Sequence, residues 1–289
     1  MRIKALFLAL LLLTTMLWGC SQEPAAQVAA TTLPVYQFTL RLCEGTGITV
    51  TRLVTESVSC LHDYSLNVSQ VRAAESAEVI VQSGMGLEEF MEDILSDGNT
   101  IDSSTGIEPS HCHHEDHEHD GHHHEQDPHI WLSPEKAKVM AENICQGLCT
   151  YFPEHQASFQ KNLTGLLADL DALQAYGQRE LANLSCRELI TFHDGFAYFA
   201  EAFDLTIIKA IEEESGCEAS AQELIALIGM VEEHCLPAIF TERNGSVSAA
   251  DIIATETDAA VYALDMAMAG DDYFEAMKHN INTIKEALG

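Results

Sequence analysis

The chain has 289 residues, room for two domains at roughly 100–200 residues each. Apolar residues make up 47% of it and charged residues 20%, enough to build packed cores, which excludes wholesale disorder. With 14 Lys and Arg against 45 Asp and Glu the formal charge is −31, so phosphate backbones are repelled, nucleic acid is excluded as a partner, and cations are attracted.

Residues 1–19 read as a signal peptide. Arg2 and Lys4 precede an apolar run from Ala5 to Trp18, too short to span a bilayer. Leu17-Trp18-Gly19-Cys20 resembles a bacterial lipobox, in which Cys20 becomes the lipid-bearing first residue; Trp18 departs from the small or β-branched residue usual there. Residues 20–30, small and polar, read as a lipid-anchored tether to the membrane. An exported location permits disulfides among the remaining eight cysteines, with Cys43 and Cys60 the best-placed pair. No Cys-x-x-Cys is present. Cys145 and Cys149 share one helix face, where they also fit as buried thiols.

Past the tether, helices and strands alternate. Pro34–Leu42 has helical spacing and Ile48–Val54 alternates as a strand does. A helix with Ser69 as its N-cap runs to Ala77, a short strand covers Glu78–Gln82, and Ser83-Gly84-Met85-Gly86 turns into a helix ending at Leu95. Ser96–Asp127 shows no hydrophobic period and reads as a long mobile loop. Pro134 starts a helix to about Thr150. After Pro153, a helix from Glu154 to about Leu181 would be roughly 42 Å long, enough to span two domains. The second half repeats the pattern, with strands at Glu188–Phe192, Thr206–Ala210, Ala238–Glu242 and Val261–Leu264, and helices at Gly195–Phe203, Ser220–Glu233, Ser248–Thr257 and Asp272–Leu288. The fold class is therefore α/β, with parallel sheets covered on both faces. The domains are an N-terminal lobe at 31–153 that includes a His-rich loop at 108–127, a linking helix at 154–182, and a C-terminal lobe at 183–289.

Four side chains share one feature. His62 follows a strand, His129 opens the segment after the loop, His193 ends a strand and Asp265 ends another. Open α/β sheets bind ligands beyond the carboxyl ends of their strands. A lone His there is more often packed or a cap, and a lone Asp more often an N-cap. Two per half, directed at one cleft, suit a tetrahedral Zn(II) site instead. Asp63 and Asp194, each next to a candidate ligand, fit either as carboxylates orienting an imidazole or as helix caps. Glu242 also lies toward the cleft. Glu212-Glu-Glu214 and Asp271-Asp272 read as solvated surface, and His155, His234 and His279 as exposed.

The segments Leu61-His-Asp-Tyr-Ser65, Asp127-Pro-His-Ile-Trp-Leu-Ser-Pro134, Thr191-Phe-His-Asp-Gly-Phe-Ala-Tyr198 and Leu264-Asp265 resemble the metal-binding motifs of the zinc/manganese substrate-binding proteins of bacterial ABC importers. The likeness runs from about Thr31 to Gly289 and includes an acidic His-rich insertion before Asp-Pro-His, typical of zinc members. It implies two α/β lobes bridged by one long helix, a metal site in the cleft between them, and His62, His129, His193 and Asp265 as its ligands. His193 stands where manganese relatives carry Glu, and imidazole suits Zn(II) better than Mn(II). Asp265-Met-Ala-Met departs from the relatives' Asp-Pro-Leu, which makes Asp265 either a fourth ligand or a close acidic neighbour. The implied protein is an extracytoplasmic, lipid-anchored monomer with no catalytic step, delivering Zn(II) to an ABC transporter permease and its ATPase.

In the loop, His111, His113, His114, His117, His119, His122, His123 and His124 alternate with carboxylates, a composition for weak secondary zinc binding. Capture and transfer to the cleft is one reading; a solvated insert is the other. His114-Glu-Asp-His117 is one residue short of a metalloprotease motif. The competing readings are the same role for Mn(II), Ni(II) or Co(II), a zinc hydrolase with an open fourth position, and a surface zinc-storage or adhesin protein.

Overall fold

The computed structural model describes residues 26–56, 61, 64–110, 126–212, 220–243, 248–268 and 270–289, and only the backbone at 96, 97, 193, 211 and 212. The signal peptide, Cys20, Cys60, His62, Asp63 and the eight loop histidines lie outside the described residues.

Two four-stranded sheets form the scaffold, and every strand pairing in them is parallel. The first holds β1 (Val28–Ala30), β2 (Val50–Arg52), β3 (Val79–Gln82) and β4 (Thr100–Asp102) in the order β2-β1-β3-β4. The second holds β5 (Glu188–His193), β6 (Thr206–Glu212), β7 (Ala238–Glu242) and β8 (Ala260–Leu264) in the order β6-β5-β7-β8. Each sheet winds outward from its first strand in both directions. The crevice at the carboxyl ends therefore opens between β1 and β3 in one lobe and between β5 and β7 in the other.

The helices are α1 (Leu33–Leu42), α2 (Val68–Ser76), α3 (Glu92–Asp97), α4 (Pro134–Tyr151), α5 (Gln156–Glu180), α6 (Ala197–Ala202), α7 (Ala221–Glu233), α8 (Ser248–Glu256) and α9 (Tyr273–Leu288). Pro153 stops α4 because it has no N–H to continue the ladder, and a 3₁₀ turn at Pro153–His155 redirects the chain into α5. At 25 residues, α5 is about 37 Å long. It buries Phe159, Leu166, Leu170 and Leu173, and packs on α1 and α4 of the first lobe and on α9 of the second. Gly177 near its end has no side chain because a Cβ there would overlap the Phe203 ring, so α5 closes tightly on the second lobe.

Three expectations change. The tether does not extend through residue 30: Val28–Ala30 is a central strand with every residue fully buried. Three small apolar residues show no periodicity, and only pairing with both β2 and β3 identifies them. The long loop is likewise shorter than Ser96–Asp127. Thr100–Asp102 pairs with β3, and Ile101, Ser103, Ile107 and Asp127 are buried. Finally, α2 begins earlier than Ser69. Asn67 caps it by accepting from Ser69 N and Gln70 N, while the Gln70 side chain accepts the Asn67 N–H.

Among the described residues, Cys43, Cys145, Cys149, Cys186 and Cys235 are free thiols, and Cys60, the partner expected for Cys43, lies outside them. Burial pushes the Cys43 and Cys145 thiols up to about 12. Of the histidines expected to be exposed, His155 stacks edge-on against Phe159, His234 pairs with Glu188 at 2.9 Å and His279 meets the Ala263 carbonyl at 3.1 Å. Asp271 and Asp272 are exposed as expected, and Asp272 is also the N-cap of α9.

Candidate metal centre

The segment Asp127-Pro128-His129 is the best-defined part of the site. Both Asp127 and His129 are 3% exposed. Asp127 Oδ1 accepts the His129 backbone N–H at 2.9 Å and faces His129 Nδ1 at 2.7 Å. An ionised carboxylate only accepts, so Nδ1 is the donor toward Asp127, and in a neutral ring with this tautomer Nε2 carries the lone pair. Pro128 between the two fixes φ, which helps the side chain of one residue reach the ring two positions on.

Contacts with the second lobe hold this segment in place. His129 stacks edge-on to Trp131, which is fully buried. Trp131 Nε1 donates to the Met266 carbonyl at 2.8 Å, and the Tyr273 hydroxyl donates to the Trp131 carbonyl at 2.7 Å. Asp265 is thus one residue from a direct link to the His129 segment. Tyr198 makes a second link: its hydroxyl accepts from Ser110 N at 3.0 Å and donates to the Asp127 carbonyl at 2.9 Å. One fully buried phenol therefore joins both flanks of residues 111–125 to α6, five residues after His193.

His193 is the last residue of β5, in register with Glu212 of β6. Asp265 follows β8. Its N–H donates to Asn280 Oδ1 and its carbonyl accepts from Asn280 Nδ2, both at 2.7 Å, so α9 clamps its backbone. Its Oδ1 accepts from Ala267 N at 2.8 Å, and its Oδ2 accepts from Arg243 Nη1 at 3.1 Å. Glu242 is buried at the end of β7, between the strands that carry His193 and Asp265. On the first lobe, the residues flanking His62 are anchored: Leu61 is buried, and the Tyr64 hydroxyl donates to Glu56 at 2.6 Å.

The structure thus links the chain beside His129 to the chain beside Asp265, through Trp131 and Met266, while His193 ends an inner strand of the second sheet. Among the described residues, no three His, Cys, Asp or Glu converge on one point; His62 and the His193 side chain lie outside them. Among the described residues Asp127 orients an imidazole, and Asp194 is half-buried after β5. Asp127 was legible in principle from Asp-Pro-His. Tyr198, Arg243 and Asn280 carried no local signal, since each acts on a residue distant in sequence.

Beyond that crevice, Glu88 is fully buried beneath the first sheet's carboxyl ends. It accepts from the Thr31 hydroxyl at 2.6 Å, Ser83 N at 2.7 Å and Gly84 N at 3.0 Å, and burial raises its carboxyl above the usual range. Gly84 has φ +90°, and a Cβ there would overlap Asp102, so this turn admits only glycine without rearrangement.

Comparison with known proteins decides the family. The family model described as "ZnuA: Zinc-uptake complex component A periplasmic" matches residues 28–287. The chain belongs to this family. Within the ZnuA family, a crystal structure titled as ZnuA superposes with a TM-score of 0.80 at 32% identity, covering 91% of this chain and 100% of that one. A ZnuA deletion mutant with zinc bound superposes at 0.77 and 30% identity, over 91% and 98% of the two chains. The zinc-binding lipoprotein AdcA of Streptococcus pneumoniae is 25% identical over 93% of this chain, which spans only 58% of AdcA's length.

Proposed function

We propose that this protein is the extracytoplasmic zinc-binding subunit of a zinc-importing ABC transporter. Zn(II) is its cargo. The ligands are His62, His129 and His193, with Asp265 as a fourth ligand or close acidic neighbour. A mature chain anchored through Cys20 captures the ion as a monomer, docks on the permease and releases it without a catalytic step. The eight imidazoles between His111 and His124 bind further zinc more weakly. The observation that carries this reading is the His129 ring, oriented by Asp127 and tied through Trp131 and Tyr198 to the lobe bearing His193 and Asp265. Family membership and the zinc-bound relative support zinc over the other divalent ions.

A competitive zinc titration of residues 21–289 against a chelator tests it, beside His193→Ala, His129→Ala and deletion of 111–125. One tight site that survives the deletion and is lost with either histidine is expected. Tight binding that vanishes with the deletion and ignores both histidines would overturn the reading in favour of storage.

A further inference from the structure

We infer that Arg243 is an internal competitor for the metal: its guanidinium holds the Asp265 carboxylate, and an ion bound there must contend with it. This rests on Asp265 acting at the zinc site. Arg243 ends the run out of β7, and its backbone N–H donates to the Leu264 carbonyl at 2.9 Å, which fixes its Cα beside Asp265. From there Nη1 reaches Asp265 Oδ2 at 3.1 Å, the one guanidinium contact among the described residues. The other carboxylate oxygen is taken by Ala267 N. Each oxygen of the fourth-ligand candidate therefore accepts a hydrogen bond from the protein itself.

The two partners differ in freedom. The Asp265 side chain is 16% exposed and its backbone is clamped by Asn280, so the carboxylate stays put. The Arg243 side chain is 55% exposed and, among the described residues, makes a single hydrogen bond rather than a bidentate one, so it can rotate into solvent at little cost. A dication binding at Oδ2 displaces the guanidinium; one binding at Oδ1 meets a carboxylate already neutralised, with a cation alongside. Either way Arg243 opposes loading and favours release, a useful property in a carrier that must surrender its cargo. The return of the guanidinium to Asp265 gives the departing ion a ready replacement.

The test measures zinc affinity and dissociation rate for the full mature chain, as wild type, Arg243→Gln, Arg243→Lys, Asp265→Ala and the Arg243→Gln/Asp265→Ala double variant. Arg243→Gln is expected to bind roughly three- to tenfold tighter, through slower release. Arg243→Lys stays near wild type because the charge is kept, and the double variant matches Asp265→Ala because the competition has no object. Asp265→Ala weakened with Arg243→Gln unchanged or weaker would overturn the competitor role while leaving Asp265 at the site. Asp265→Ala with wild-type affinity would remove Asp265 from the site and the competitor role with it.

Discussion

Asp127→Ala isolates the orientation of a single ligand. The substitution removes the acceptor of two hydrogen bonds, to His129 N at 2.9 Å and Nδ1 at 2.7 Å, in a place where both residues are 3% exposed. The Nδ1 bond fixes the ring's plane and tautomer; the other fixes the backbone from which the ring projects. Outer-shell carboxylates of this kind are worth about 10–100-fold in metal affinity, which is about 1.4–2.7 kcal/mol. A hydrogen bond to a charged group contributes about 1.5–3 kcal/mol, so the two scales agree. The zinc dissociation constant of Asp127→Ala should therefore rise by about one to two decades. Asp127→Asn, which keeps an acceptor oxygen but loses the charge, should lose less than Asp127→Ala. A chelator competition reads both, and a thermal melt without metal separates binding loss from the stability cost. The double variant Asp127→Ala/His129→Ala should bind no worse than His129→Ala, because the carboxylate acts only through that ring. Affinity within twofold of wild type for Asp127→Ala, or full additivity in the cycle, would refute the reasoning.

Tyr198→Phe keeps the buried ring but leaves Ser110 N and the Asp127 carbonyl without their partner; about 1–3 kcal/mol of stability and a several-fold loss of zinc affinity are expected in parallel melts and titrations. Gly177→Ala drives a methyl into the Phe203 ring and should cost about 1–3 kcal/mol in denaturant unfolding, with no loss if the helix can shift. For Glu88, burial raises the folded-state carboxyl above its ordinary value of 4.5, so its contribution is greatest below that pH and is lost as pH rises through the raised value. Wild type should therefore lose stability relative to Glu88→Gln as pH rises above 4.5, and a difference that does not change with rising pH would disprove it.

The sequence by itself determined the alternation of helices and strands, the long bridge after Pro153, and the placement of His129, His193 and Asp265 next to strand or helix ends. These features are local: a hydrophobic period and a proline that stops a helix are written within a few residues. Only the tertiary structure decided that Val28–Ala30 and Thr100–Asp102 are strands, because three-residue segments gain their identity from the neighbours they pair with. It alone decided that Asp127 orients His129, that Tyr198 joins the two flanks of 111–125 to the second lobe, and that Arg243 rests on Asp265. Those partners lie 71 residues apart for Tyr198 and Asp127 and 22 apart for Arg243 and Asp265. No periodicity in the chain encodes such separations. The first arises where the two lobes meet, and the second because β7 and β8 lie side by side in one sheet.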